Sequence, residues 1–251
     1  MPGTLNMFHN NRINIINSKK LKAMFTRCPI CESRTNHFFN IPFIKENIDV
    51  PKKYDMMIQY NRCPECDYIF APVFKAWTEK DFKQNIYNED YIKYDPEFLE
   101  IRPHTNAKQF YDILRGKRHL DYGGGSGRMS NTLKASGIDS HSYDVFFDKA
   151  RPTGQFDVIT CIEVLEHSID PLKIFADIFS LLKPKGKLIL KTSIVDFWNC
   201  KNDYDFSQHW YVSPRNGHIG FYGIKTLQLI ADETGFNYSQ NSPVENIFIK
   251  L

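Results

Sequence analysis

Four of the six cysteines fall into two pairs of equal spacing, Cys28-Pro-Ile-Cys31 and Cys63-Pro-Glu-Cys66. A C-x2-C turn puts two thiolates on one knuckle, and two knuckles complete a tetrahedral S4 site. With all four ligands supplied by protein thiolates, a zinc ion there is structural and keeps no open position for chemistry. A redox dithiol would sit at the start of a helix in a βαβ unit, and neither pair does. A second constellation is Asp121-Tyr-Gly123-Gly-Gly125-Ser-Gly127. Glycines allow a tight turn and let a ligand lie against bare backbone. Amide groups at a following helix start then face that ligand. Asp144 follows about 20 residues later, where a carboxylate can take both hydroxyls of a ribose. That spacing suits NAD and S-adenosylmethionine (SAM) alike, but the glycines favour SAM. A dinucleotide fingerprint wants a third glycine where this chain has Arg128. Three histidines complete the inventory. His167 follows Glu166, and His209 and His218 lie in DFSQHWYVSPRNGHIGFYG. Each could take a proton from a nucleophile.

These groups need elements to hold them. Residues 25 to 72 are short apolar stretches broken by Pro, Asn and Cys, which reads as a ribbon of short strands. Residues 73 to 117 are charged and aromatic and read as a helical connector, broken at Asp95-Pro96 and Arg102-Pro103. From 118 the pattern is strand, glycine turn, helix. RHLDYG is a strand, GGSGRMSNTLKASG a helix after its glycines, and DSHSYDV an alternating strand. FDVITCIEV is nearly continuous in apolar residues, as a parallel strand covered on both faces should be. Asp170-Pro171 opens a helix with an acidic cap and Pro at its first position. GKLILKTS is the next strand, GIKTLQLIADETG a helix stopped at Gly235, and the last stretch should close the sheet. The expected fold is α/β, a doubly wound, Rossmann-like, mostly parallel sheet with a small N-terminal zinc ribbon. The expected divisions are a polar leader (1–24), the zinc ribbon (25–72), the connector or lid (73–117) and a cofactor domain (118–251).

HLDYGGGSGRMS resembles motif I of class I SAM-dependent methyltransferases. FDVITCIEVLEHSIDPLKIFADIFSLLKPKGKLILKTS resembles the signature that follows it, in the form seen in ubiquinone-type and sugar methyltransferases. The resemblance covers roughly residues 105 to 250. It implies that Gly123, Gly125 and Gly127 line the cofactor and that Asp121 lies near its amino-acid end. It also implies that Asp144 holds the ribose and that Glu163 lies beside the methionine portion. One departure stands out. Only about a dozen residues separate Asp144 from Phe156, where the usual fold has a further helix and strand carrying the acid that reads the adenine amine. Either the sheet is shortened, or Phe146 and Phe147 sandwich the adenine.

Methyl transfer from a sulfonium needs positioning, and a base when the nucleophile is an alcohol. His167, His218 and His209 are the candidates, since all three should lie at the carboxyl edge of the sheet. The segment W-Y-x-x-P-R-N-G-H-x-x-F-Y resembles one in bacterial methyltransferases of surface-polysaccharide and sugar clusters. Trp198, Trp210, Tyr211 and Tyr222 could stack on a sugar ring, and Arg215 could pair with a phosphate. Tyr87, Tyr91 and Tyr94 could line the cleft, although packing of an amphipathic helix is the blander reading. Relatives that C-methylate deoxysugars also carry an N-terminal zinc module, but they are longer, with an additional C-terminal domain.

Composition sets the outer limits. The chain has 251 residues, 42% hydrophobic and 24% charged, enough for one α/β domain and a small module. The net charge of +3 is too small to argue for nucleic acid. Residues 1 to 72 carry 10 Lys+Arg and 6 Asp+Glu, which four thiolates and one Zn2+ would reduce to about +2. No apolar run approaches the roughly 18 residues of a membrane span. No secretory leader is recognisable, so a cytoplasmic location is expected. The expectation is therefore an O-methyltransferase using SAM and a structural Zn2+, acting on a sugar, a nucleotide-sugar or a capsular polysaccharide component. Neither nucleic acid nor membrane is an expected partner. The rivals are a zinc-finger RNA base methyltransferase and a non-catalytic zinc-ribbon scaffold with a vestigial cofactor fold.

Overall fold

The computed structural model describes residues 27–45, 54–147 and 150–251. The expected polar leader lies outside the described residues. The N-terminal part is an antiparallel ribbon of β1 (Asn36–Pro42), β2 (Met57–Arg62) and β3 (Ile69–Phe70). Three helices follow: α1 (Glu79–Asn85), α2 (Tyr91–Tyr94) and α3 (Ile101–Leu114). A capping box starts α1, with the Thr78 hydroxyl accepting from the Asp81 amide and the Asp81 carboxylate accepting from the Thr78 amide. Asp95-Pro96 ends α2 as expected. Arg102-Pro103 does not break the chain, because Pro103 falls in the first turn of α3, where its missing N–H costs nothing.

The part expected to hold the cofactor runs β4 (Arg118–Tyr122), α4 (Arg128–Ala135), β5 (Asp139–Tyr143), β6 (Phe156–Ile162), α5 (Pro171–Leu181) and β7 (Leu182–Lys191). It ends with α6 (Asp203–Gln208), β8 (Gly220–Phe221), α7 (Ile224–Thr234), β9 (Phe236–Gln240) and β10 (Glu245–Lys250). The large sheet has the order β5-β4-β6-β7-β10-β9. Its first four strands are parallel, and β10 is antiparallel to both neighbours. The interior of β6 is buried residue after residue, which its unbroken apolar run requires. The Asp170 carboxylate accepts from the Lys173 amide to start α5, and Gly235 at φ 80° ends α7.

β5 is a sheet edge, and the described part of 144–155 holds neither helix nor strand. The sheet is therefore shortened. Helix α3 covers one face through Ala107, Phe110 and Leu114, which pack on Met129 and Leu133 of α4. Strand β8, far along the chain, pairs with β3 and extends the N-terminal ribbon to four strands. The ribbon and the cofactor domain therefore share a hydrophobic core, in which Tyr60 and Phe74 meet Phe206, Tyr211 and Phe221.

Candidate active site

The glycine turn joins the carboxyl end of β4 to α4. Gly123, Gly125 and Gly127 have φ of 75°, 52° and 77°, a backbone region that favours glycine. The neighbouring Gly124 has a different reason to lack a side chain. A Cβ there would sit 2.5 Å from both the Asp121 carboxylate and the Ser142 hydroxyl. Asp121 is buried, and its Oδ1 accepts from the Thr160 hydroxyl at 3.0 Å. Asp144 stands at the tip of β5. Its two carboxylate oxygens accept from the Gly125 amide at 2.9 Å and the Phe146 amide at 2.8 Å. Each oxygen keeps lone pairs for further donors. Gly123, Gly125, Asp121 and Asp144 all line one cavity of about 1410 Å³. Gly127 is not in its wall and serves as the left-handed cap of α4. Phe146 and Phe147 line the same cavity, Phe147 facing Phe98 at a ring distance of 6.2 Å.

Beyond the glycine turn the cavity reaches a compact polar cluster at the ends of β6 and β7. Glu163, at φ 52°, accepts a 3.1 Å hydrogen bond from the Tyr211 hydroxyl. Glu166 is fully buried, and its Oε2 accepts from Thr192 at 3.1 Å. Its Oε1 has no hydrogen-bond partner among the described residues, with His167 Nε2 3.8 Å away. Burial, and then the neighbouring Glu163 carboxylate, push the Glu166 carboxyl well above the usual range. Burial also raises that of Glu163.

His167 and His218 both line the cavity, their rings 5.0 Å apart and nearly perpendicular. His218 Nδ1 lies 2.6 Å from the Tyr211 carbonyl. A carbonyl only accepts, so Nδ1 carries the hydrogen and Nε2 keeps its lone pair. Burial lowers the His218 pKa to about 4, against opposing help from the Tyr211 carbonyl and Asp95. Burial and His218 hold His167 well below the usual imidazole range. Both rings are neutral near pH 7. Glu166, His167 and His218 each offer a donor atom within 4.8 Å of the others, a set able to take a divalent cation or to handle a proton.

His209 does not join them. Its ring stacks on Trp198 at 3.9 Å, and it is no part of the cavity wall, which corrects its expected place among the bases. Of the four aromatics expected to face a sugar, Tyr211 and Tyr222 are core, and Trp198 packs on His209 and Phe206. Trp210 alone is open, 74% exposed and in the cavity wall. Arg215 is 1% exposed, donates to the Ile86 carbonyl and to Asn88, and lies over the Tyr94 ring, so a phosphate cannot reach it. Tyr87 and Tyr91 line the cavity, while Tyr94 does not.

Sequence reasoning missed Arg102 and Asp95. They form a two-bonded ion pair, at 2.7 and 3.0 Å, inside the cavity wall. The available signal is the pair of X-Pro dipeptides with opposite charges at X, Asp95-Pro96 and Arg102-Pro103.

The four paired cysteines meet. Cys28 Sγ lies 3.6 Å from Cys66 Sγ, and Cys31 Sγ 3.4 Å from Cys63 Sγ. All four sulfurs are within 4.8 Å of one another. Around zinc at about 2.3 Å, tetrahedral sulfurs stand about 3.8 Å apart, so the set fits. The knuckles close alike. The Glu32 and Asp67 amides each reach the first cysteine's carbonyl at 3.0 Å, and both residues have positive φ, 58° and 62°.

The family described as Methyltransferase domain matches residues 91–241, more than half of the chain. Among curated proteins, the chain is 30% identical to the ubiquinone biosynthesis O-methyltransferase of Aromatoleum aromaticum, over 32% of this chain and 45% of that one. It is 32% identical to the protein of the same name from Psychrobacter cryohalolentis, over 32% of this chain and 42% of that one. The chain spans less than half the length of these relatives. Among solved structures, magnesium protoporphyrin IX methyltransferase from Synechocystis PCC 6803 with bound SAH is similar at 14% identity. It has a TM-score of 0.45, covering 71% of this chain and 97% of that one. No helix among the described residues is long and apolar enough to cross a membrane.

Proposed function

This chain belongs to the methyltransferase-domain family, and from that premise we propose that it transfers a methyl group from SAM to a hydroxyl oxygen, with His218 as the base. The observation that carries the proposal is the His218 ring. Its Nδ1–H is fixed to the Tyr211 carbonyl while the ring lines the cavity that also contains the glycine turn. SAM, when bound, supplies a methyl already activated on a sulfonium sulfur. The chain holds and orients. Gly123 and Gly125 present bare backbone, and Asp144 uses its remaining lone pairs for ribose hydroxyls. Glu163, held by Tyr211, faces the amino-acid end. His218 Nε2 accepts the acceptor's proton, and burial keeps that nitrogen neutral and ready near pH 7.

The acceptor we propose is a saccharide hydroxyl, free or nucleotide-linked. Trp210 supports this reading, since a flat, exposed indole at the cavity wall suits the apolar face of a sugar ring. A phenolic acceptor is the second reading, favoured by Tyr87, Tyr91, Phe98 and Phe146 in the same wall and by the quinone-pathway names of the relatives. We further assign the four cysteines to one structural zinc ion, on the fit of their sulfur spacing.

The test is a methyl-release assay with SAM across sugar nucleotides, simple glycosides, phenols and RNA, repeated with His218→Ala. Turnover on a hydroxyl compound, with the variant down by about 10²–10⁴ and SAM binding retained, supports the proposal. Full rate in His218→Ala removes the base assignment, and turnover confined to RNA removes the acceptor class.

A further inference from the structure

The N-terminal ribbon has no open metal position and little charge to grip a polyanion, so its place in the molecule must explain it. That place is the backbone of His218. Tyr60, on β2 and fully buried, donates its hydroxyl to the His218 carbonyl at 2.6 Å. The Ala71 amide donates to the Ile219 carbonyl at 2.9 Å. Strand β3 then pairs with β8, Ile69 opposite Phe221 and Phe70 opposite Gly220. The Tyr60 ring also stacks on Phe221 at 5.4 Å. Consecutive residues 218 to 221 are thus held by the ribbon, while the cofactor domain holds the same segment through the Ile219 amide and the Glu166 carbonyl, 2.8 Å apart.

The cysteine knuckles fix where the ribbon sits. The second knuckle leads directly into β3, its Cys63 amide closing on the Tyr68 carbonyl at 2.9 Å. The Cys66 carbonyl accepts from the Thr226 hydroxyl at 2.6 Å, which ties the knuckle to the first turn of α7. The Tyr68 and Tyr222 hydroxyls lie 3.5 Å apart, and Tyr222 donates to the Leu165 carbonyl, one residue before Glu166.

We infer that Tyr60 is a positioning residue for His218, and that the four-cysteine ribbon acts in cis to set that histidine's height in the acceptor cavity. The inference rests on the reading of His218 given above. It makes the ribbon part of the acceptor site rather than a grip for a second macromolecule. A misplacement of about 1 Å at a reacting group costs up to a hundredfold in rate, and Tyr60 is the contact whose loss frees the His218 carbonyl.

The experiment compares Tyr60→Phe with Tyr68→Phe, both in the full zinc-loaded chain. Tyr68→Phe removes an equally buried hydroxyl that does not touch His218. The readouts are kcat, KM for SAM, zinc content and the acid limb of the pH–kcat profile. The titratable and charged groups facing His218 are Glu166, His167, Tyr211, Asp95 and Arg102, and all are intact in both variants. Tyr60→Phe is expected to lower kcat by about tenfold or more, to keep SAM affinity within about twofold and zinc at one per chain, and to move the acid limb upward as the His218 ring becomes wetter. Tyr68→Phe is expected to leave the limb in place. Should Tyr60→Phe fold poorly, the ¹⁵N resonances of His218 are followed while zinc is withdrawn from the wild type, and they are expected to shift before SAM binding is lost. An unmoved limb and an unchanged kcat in Tyr60→Phe, or unmoved resonances on zinc removal, overturn the inference. Full activity in His218→Ala instead overturns the function reading beneath it.

Discussion

A single methyl group at position 124 should close the cofactor cleft. An alanine there places its Cβ 2.5 Å from Asp121 Oδ2 and 2.5 Å from Ser142 Oγ, with the Asp121 carboxyl carbon at 2.9 Å. A Cβ in ordinary contact stands 3.4 Å or more from its neighbours, so the carboxylate or the loop must give by most of an ångström. Asp121 cannot move cheaply. It is buried, on a strand paired on both sides, and its Oδ1 holds the Thr160 hydroxyl at 3.0 Å. Losing a buried hydrogen bond to a charged group costs about 1.5–3 kcal/mol, and overpacking at a tight site costs about 1–3 kcal/mol. Relaxation will use one route or the other, so a loss of about 2–3 kcal/mol is expected. In a chain of this size that corresponds to a Tm roughly 5–10 °C lower. Gly116→Ala is the control. It sits at φ 67° with nothing within 4 Å of its Cβ, so it carries backbone strain of about 1 kcal/mol and no clash. Calorimetric titration with SAM should show affinity falling at least tenfold for Gly124→Ala and unchanged for Gly116→Ala. Wild-type affinity in Gly124→Ala would refute the idea that the ligand lies on this turn.

Cys63→Ser should abolish stoichiometric zinc, read by elemental analysis of the purified chain, and lower Tm by several degrees; full zinc content in the variant would contradict the four-sulfur site. Trp210→Ala should raise the acceptor KM about tenfold while leaving Tm within 1–2 °C, because a side chain 74% exposed contributes little to the core; an unchanged KM removes the stacking role. His119 gives a stability signature. It is fully buried between Ser140 and Thr160, and burial lowers its pKa to about 3, against about 6.5 when unfolded. A histidine depressed by folding adds stability above its unfolded pKa and loses it as pH falls. Between pH 7 and 5 the wild type should therefore lose about 2 kcal/mol more than His119→Gln in urea unfolding, and equal losses would show that the ring is not kept neutral.

What the sequence made legible was local. A cap, a glycine turn or a C-x2-C knuckle is a contract among residues within one turn of each other, so Asp170-Pro171, Gly235 and the two knuckles could be read directly. The shortened sheet was one of two readings the sequence left open, because only about a dozen residues separate Asp144 from Phe156. What stayed hidden depends on contacts far apart in sequence. Nothing near Arg215 says that Ile86 and Asn88 will cover it, and its neighbours Trp210, Asn216 and His218 in the same segment do reach the cavity. Residue type suggested an anion ligand where the fold makes a buried brace between the connector and the segment that carries His218. His209 and His218 were alike as sequence, and only the partner distinguishes them: a stacked indole for one, a backbone carbonyl and the ribbon for the other. Strand β8 is the sharpest case. Two residues carry too little pattern to be read as a strand, and they become one because β3, some 150 residues earlier, arrives with unpaired backbone groups. The division of this chain into an N-terminal module and a cofactor domain is therefore a division of sequence patterns. The His218 end of the cavity is held by both, and substitutions in the ribbon should be judged first by what they do to residues 218–221.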